Sequence, residues 1–140
     1  MKKLFESVTT IAEVGLAHEG SLGMAHSYID AAAECGVTAV KFQTHIADQE
    51  SSSREQFRVK VFPQDETRYD YWQRTAFGLE QWRDLASHCQ QVGVRFLSSP
   101  FSNRAVDWLE DCGVAAWKVA SGEISNLPML TLMCETGKPI

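Results

Sequence analysis

One junction recurs four times along the chain and restricts its fold more than any other feature. A helical pattern stops at a glycine and an apolar strand follows, at Cys35-Gly36-Val37, Val92-Gly93-Val94, Cys112-Gly113-Val114 and Thr136-Gly137-Lys138-Pro139-Ile140. Glycine is the usual left-handed stop at a helix end. Each strand then runs into a polar loop. Strands alternating with amphipathic helices imply right-handed crossovers and a parallel sheet.

The first strand is expected at Ile11-Ala12-Glu13-Val14-Gly15, followed by the polar loop Ala17-His18-Glu19-Gly20. Ser21 suits the cap of a helix reaching about Cys35, with Met24, Tyr28, Ile29 and Ala32 on its inner face. The second strand starts at Val37 and turns polar at Lys41, Gln43, Thr44 and His45. Alternation sends Ala39, Lys41 and Gln43 to one face and Val40 and Phe42 to the other. A helix over about Leu79–Val92 turns Trp82, Leu85, Ala86 and Cys89 inward, and strand three, Val94–Leu97, ends in Ser98-Ser99-Pro100-Phe101. A helix over Asn103–Cys112 buries Val106 and Leu109; strand four, Ala116–Ala120, ends in Ser121-Gly122-Glu123. Leu127–Glu135 reads as a further helix, and a fifth strand begins at the last residues.

The repeat breaks once. Ile46–Phe77 is long and polar, with Ser51-Ser52-Ser53 and scattered aromatics from Phe57 to Phe77. Insertions of this length form active-site lids, subunit contacts or solvated loops.

Every strand ends in polar residues at its C-terminal end, the rim where parallel α/β folds bind ligands. A barrel and an open doubly wound sheet both fit that pattern. No G-x-G-x-x-G or G-x-x-x-x-G-K-[ST] follows a strand, which weakens a nucleotide-binding sheet. Charged residues within strands suit a barrel lumen. The expected fold is therefore an α/β (β/α)8 TIM barrel. Such a barrel typically takes ~250 residues, so residues 1–140 read as its first four βα units, with 46–77 as a lid-like insertion.

Composition narrows the partners. At 44% hydrophobic and 22% charged, with net charge −5, the chain is an ordinary globular one. Mild acidity argues against nucleic acid and membrane surfaces, which favour basic patches. Cys35, Cys89, Cys112 and Cys134 show no C-x-x-C and no zinc spacing with histidine. Buried free thiols, a reducing compartment and a cytoplasmic location are the expectation. The start, Met1-Lys2-Lys3-Leu4-Phe5-Glu6, lacks the apolar core of a signal peptide, and no apolar run approaches a membrane span.

Two lysines at matched places in the repeat, Lys41 and Lys118, point to an anion site for phosphate or carboxylate, with Ser98, Ser99 and Ser121 alongside. Glu13 and Glu123 are acid, base or hydroxyl-binding candidates, or else charge balance for those lysines. His18 and His45 are rim histidines able to bind metal or move protons, while His26 and His88 are expected on helix surfaces. No spacing makes a metal site, and Ser98-Ser99 lacks the G-x-S-x-G elbow of a hydrolase.

As a set, these motifs resemble the sialic acid synthase family. The resemblance rests on Ile11-Ala12-Glu13-Val14-Gly15, His18-Glu19-Gly20, Ala39-Val40-Lys41-Phe42-Gln43-Thr44, Phe96-Leu97-Ser98-Ser99-Pro100-Phe101 and Trp117-Lys118-Val119-Ala120-Ser121-Gly122-Glu123. Asn126-Leu127-Pro128 and the closing Thr136–Ile140 continue it. It implies a (β/α)8 barrel followed by a small antifreeze-like domain, assembled as a domain-swapped homodimer. The implied reaction condenses phosphoenolpyruvate with N-acetylmannosamine or a related amino sugar, releasing phosphate. A manganese or magnesium ion polarises the aldehyde, with its ligands outside these 140 residues. Residue by residue, the resemblance implies that Lys41, Ser99, Lys118 and Ser121 hold phosphoenolpyruvate. Glu13 would lie beside the aldehyde, with Gln43 and Glu123 near the sugar, and Glu13, Lys41 and Lys118 are the catalytic candidates. Two positions depart from the pattern: Ala17 stands where asparagine is usual, and Ser99 where threonine is common. The implied metal-binding histidines and a partner arginine lie elsewhere, so this stretch alone is expected to be inactive and, as an open half-barrel, prone to pair or aggregate. The rival readings are an octulosonate phosphate type of synthase and a non-catalytic half-barrel that serves as an interaction module.

Overall fold

The structure, a computed structural model, describes residues 8–60 and 62–140. The signal-peptide reading of residues 1–6 lies outside the described residues. Strands β1 (Ile11–Gly15), β2 (Ala39–Thr44) and β3 (Arg95–Pro100) form one parallel sheet in the order β1-β2-β3. Helix α1 (Leu22–Glu34) joins β1 to β2, and α4 (Leu79–Val92) leads into β3. Helices α5 (Asn103–Asp111) and α6 (Leu127–Glu135) follow, with a single 3-10 turn at Ser121–Glu123 between them. The insertion carries α2 (Ala47–Glu50) and α3 (Arg68–Thr75).

Sequential strand order decides between the two architectures. An open doubly wound sheet reverses its order at a switch point; here each strand pairs with its immediate successor. The principal core joins Val40, Phe42 and Phe96 to Ile29, Trp82 and Leu85 of the helices, and a small separate cluster of Ala39, Leu97 and Ala116 lies on the opposite face. Helices on one side of a consecutively ordered, twisted parallel sheet are the wall of a barrel, and the fold is part of a (β/α)8 barrel. Phe42, Trp82 and Leu85 are almost wholly buried, and each contributes roughly 1.5–3 kcal/mol. Among the described residues, no helix is long and apolar enough to cross a membrane.

The junction glycines behave as the repeat requires, with φ of 70°, 83°, 72° and 67° at Gly36, Gly93, Gly113 and Gly137. Ser21 caps α1 by accepting from the Met24 N–H. The buried stripe of α1 is Ala25, Ile29 and Ala32, whereas Met24 and Tyr28 are exposed. Small residues win this face because they let the helix lie close to the sheet and to α4. Strand four is absent as a strand. Residues 116–120 pair with no sheet strand, although Ala116 and Trp117 are buried and the Trp117 N–H donates to the Pro139 carbonyl at 2.8 Å. One such bond between the regions read as strands four and five does not make a ladder. The thiols are all free, but only Cys89 is fully buried; Cys35 and Cys134, at helix ends, are exposed.

The insertion folds down onto the β1–α1 loop rather than projecting from it. Arg74 of α3 grips the buried Asp65 at 2.7 Å and reaches Glu19 at 3.3 Å. The Arg74 guanidinium holds the Asp65 carboxyl below the usual carboxylate range. Glu19 sits at φ 50°, a left-handed conformation uncommon for a residue with a side chain, and its ion pair helps hold it there. Gly20 has φ 80°, and a Cβ there would lie 2.6 Å from the Arg74 carbonyl oxygen. Gly20→Ala is expected to cost roughly 1–3 kcal/mol and to loosen the insertion. Urea midpoints and the rate of proteolysis within residues 46–77 would register this; unchanged values would refute the seating.

His18, read from the sequence as a rim group, is instead core. It is 1% exposed, stacks on Phe77 at 4.4 Å and meets Phe42 and Trp82 at their rings. Its Nδ1 accepts from the Gly20 N–H at 3.1 Å, so a neutral ring carries its hydrogen on Nε2, which has no partner. Burial lowers its pKa from 6.5 to about 4. The sign follows: the unfolded chain takes up the proton before the folded one does. The contribution is complete above about pH 6.5 and declines as pH falls through about 4. In His18→Phe, that part of the acid loss of stability is expected to vanish. Denaturation across this window checks it, and an identical pH profile in both proteins would count against it.

Candidate functional site

The alternation of β2 governs the site. Phe42 and Val40 turn to the helices, and Lys41 and Gln43 turn to the lumen face beside Glu13 of β1 and Leu97 and Ser99 of β3. Lys41 is 9% exposed and its ammonium lies 2.5 Å from Glu13, whose side chain is half exposed. The Glu13 carboxylate thus supplies the charge balance that a buried ammonium requires. A register shift between Glu13 and Gly15 breaks the β1–β2 ladder at the rim, where bulges re-aim side chains. A Cβ at Gly15 would stand 3.3 Å from Oε1 of Glu13 and 3.5 Å from Nε2 of Gln43. Carboxylate and carboxamide therefore converge over the bare end of β1. Gln43 and Ser99 are register neighbours, and Ser99 is buried.

Four of the seven residues singled out from the sequence, Glu13, Lys41, Gln43 and Ser99, thus share one face at the C-terminal end of the sheet. The other three are placed differently. Lys118 and Ser121 are exposed, and among the described residues no hydrogen bond or ion pair joins them to the Glu13–Lys41 group. Glu123 accepts from the Asn126 amide at 2.8 Å. It lines a cleft of about 1030 Å³ between the insertion and the loops after β3, with Glu50, Trp72, Phe101, Asn103 and Asn126. The structure does not bring the two lysines to one point; the second one rides on the segment that lacks a ladder. Ser98 belongs to the opposite face, where its hydroxyl meets Thr44 at 2.8 Å in the interior.

His45 is the rim group that sequence reasoning undervalued. It is 4% exposed and sandwiched between Trp72 at 5.0 Å and Phe101 at 3.9 Å. Its Nδ1 meets Glu50 at 2.8 Å, and its Nε2 lies 3.3 Å from the Gln43 carboxamide. Glu50 also accepts from the Ile46 N–H at 2.7 Å. The chain Glu50–His45–Gln43 links α2 of the insertion to the lumen face. Its signal was the five-residue spacing of His45 and Glu50 across a turn, which has meaning only once Ala47–Glu50 is seen as a helix.

Among the described residues, no group of three or more His, Cys, Asp or Glu is placed to hold a metal ion. His18 is locked in the core and His45 is tied to Glu50, so the residues present do not fit a metal centre by themselves.

The chain is 34% identical over 93% of its length to the N,N'-diacetyllegionaminic acid synthase of Campylobacter jejuni, and covers 40% of that protein. It is 31% identical over 93% of its length to the human N-acetylneuraminate-9-phosphate synthase, covering 37% of it. Among solved structures, the N-acetylneuraminic acid synthetase of Leptospira borgpetersenii, in complex with citrate, superposes with a TM-score of 0.77 at 26% identity, over 94% of this chain and 43% of that one. The spore coat polysaccharide biosynthesis protein SpsE of Bacillus subtilis gives 0.71 at 33%, over 94% and 34%. The chain thus spans about two fifths of the length of the relatives it matches. The NeuB family model matches residues 28–140, and the chain belongs to the NeuB family.

Proposed function

We propose that these residues form part of the active site of a synthase that condenses phosphoenolpyruvate with N-acetylmannosamine or a related amino sugar, giving a sialic-acid-type product and inorganic phosphate. The observation that carries this reading is the buried Lys41 ammonium beside Glu13, Gln43 and Ser99 on the lumen face of a NeuB-family barrel. A fixed ammonium and a hydroxyl suit a phosphate–carboxylate ligand, while a carboxylate and a carboxamide suit a polyhydroxy partner. The names of the relatives, synthases of legionaminic and neuraminic acids, support the product class.

In this reading Lys41 and Ser99 bind phosphoenolpyruvate, together with Lys118 and Ser121. Glu13 is the exchangeable partner: half exposed, it balances Lys41 until an anionic ligand arrives, and then lies free beside the sugar. Gln43 and Glu123 orient the sugar, Gln43 under the hold of His45. The new bond joins the enol carbon of phosphoenolpyruvate to the sugar's carbonyl carbon. Water adds at the carbon bearing the phosphate, its two protons pass to the new hydroxyl and to the departing phosphate, and the C–O bond to phosphate breaks, which leaves a keto group. Residues 46–77 cover the rim as a lid. The working protein is a cytoplasmic homodimer that requires manganese or magnesium.

The test is phosphate release from phosphoenolpyruvate by the complete gene product, with manganese, with and without each free and phosphorylated amino sugar. Release that depends on a sugar is expected, and Lys41→Met should lower it by on the order of 10²-fold or more. No release with any sugar, free or phosphorylated, would overturn the reading.

A further inference from the structure

On the outer wall, behind the rim, α1 and α4 pack side by side and four polar side chains line up across their seam. His26 and Asp30 lie one turn apart on α1, and Asp84 and His88 one turn apart on α4. Nε2 of His26 stands 3.0 Å from Asp84, Nδ1 of His26 stands 2.7 Å from Nδ1 of His88, and Nε2 of His88 stands 2.9 Å from Asp30. Each of the three links crosses from one helix to the other. The rings meet with centroids 4.8 Å apart and planes 44° apart, and both side chains are partly shielded, at 27% and 19% exposed. Both lie on helix surfaces, as the sequence suggests, but each is engaged on both ring nitrogens.

The donor inventory fixes the proton count. A carboxylate only accepts, so each Nε2 carries a hydrogen. If both rings are neutral, two Nδ1 lone pairs oppose each other at 2.7 Å with nothing between them. If both rings are charged, two N–H groups oppose each other instead. All three links form only when a single proton lies between the two Nδ1 atoms.

We propose that His26 and His88 form a one-proton clamp that fastens α1 to α4 and opens when that proton is lost or a second is gained. The charged groups facing the pair are Asp30 from α1 and Asp84 from α4. The inner sides of the two helices turn Ala25, Ile29, Leu85 and Cys89 to the core, and burial pushes the Cys89 thiol up to about 12, so it stays protonated alongside. The signs follow from the count. Raising pH from the one-proton state removes the bridge, and lowering it sets two N–H groups against each other. Stability from the seam therefore passes through a maximum with pH, where a lone histidine gives a monotonic change. Because α1 and α4 back the strands that carry Glu13, Lys41 and Ser99, the proton sets how firmly the wall behind the rim is held.

The test is an imidazole nitrogen NMR titration of the complete gene product, freed of metal by chelator, with His88→Gln and His26→Gln alongside. In the unsubstituted protein, both rings are expected to report the same two linked steps. In either variant, the remaining ring should titrate in one step, and the stability maximum should give way to a monotonic profile. One independent step for each ring in the unsubstituted protein would overturn the clamp whether or not the variants fold. Adding zinc at alkaline pH supplies the second arm. A joint, stoichiometric shift of both Nδ1 resonances would assign the seam to a metal ion and overturn the proton.

Discussion

Burying the Lys41 ammonium is the constraint around which the rest of the site is arranged. An ion of this size loses several kcal/mol of solvation on entering a protein interior unless a partner restores it. β2 cannot avoid that cost, because it is the central strand of three and both of its faces are covered. Its alternation places Val40 and Phe42 in the helix-packed core, which commits Lys41 to the lumen face. Glu13, at the matching register position of β1, meets the ammonium, but from a half-exposed position. A partly solvated ion pair is screened and weak compared with a dry one. The ammonium is therefore fixed on the lumen face, while its partner stays open to water.

The insertion belongs to the same arrangement. Its contacts converge on the two loops that leave β1 and β2: Arg74 on Glu19, Phe77 on His18, and Glu50 and Trp72 on His45. None of these bonds reaches Lys41. They hold the loops, and through His45 they hold Gln43. Side chains that touch the rim are thus kept in place by groups that do not, and a segment of low hydropathy gains order from one buried ion pair and a few ring stacks. The bare backbone at Gly20 is the necessary counterpart, since any side chain there would push Arg74 away.

Much of the architecture was legible because its signals are local. A left-handed glycine after each helix, a capping serine at Ser21 and alternation in β2 depend on neighbours a few residues away, and the helices appear close to their expected bounds. What failed depends on distant partners. Ala116–Ala120 has the composition of a strand, but strand status is conferred by a ladder, and sequence alone does not say whether a neighbour pairs. The inner face of α1 was set by how close the helix lies to α4, which favours Ala25 over Met24. Of the site, the part on β1, β2 and β3 was legible through strand parity, and the part following Trp117 was not, because parity has no meaning without a ladder.

The four histidines show the same division between what a residue type offers and what its surroundings select. His18 meets aromatic rings and one backbone N–H, so its ring stays neutral and works as a packing group with a polar edge. His45 meets a carboxylate on one side and a carboxamide on the other, and ties the position of helix α2 in the insertion to the orientation of a rim side chain. His26 and His88 meet each other between two aspartates, where the arithmetic of donors requires a shared proton. A count of donors and acceptors separates these three environments. Proximity to the rim does not, because His18 and His45 each lie just beyond the end of a strand, yet only His45 touches a group on the lumen face. The residues to weigh in a barrel of this kind are those whose far atoms are already fixed, since a side chain held at one end can act with direction at the other.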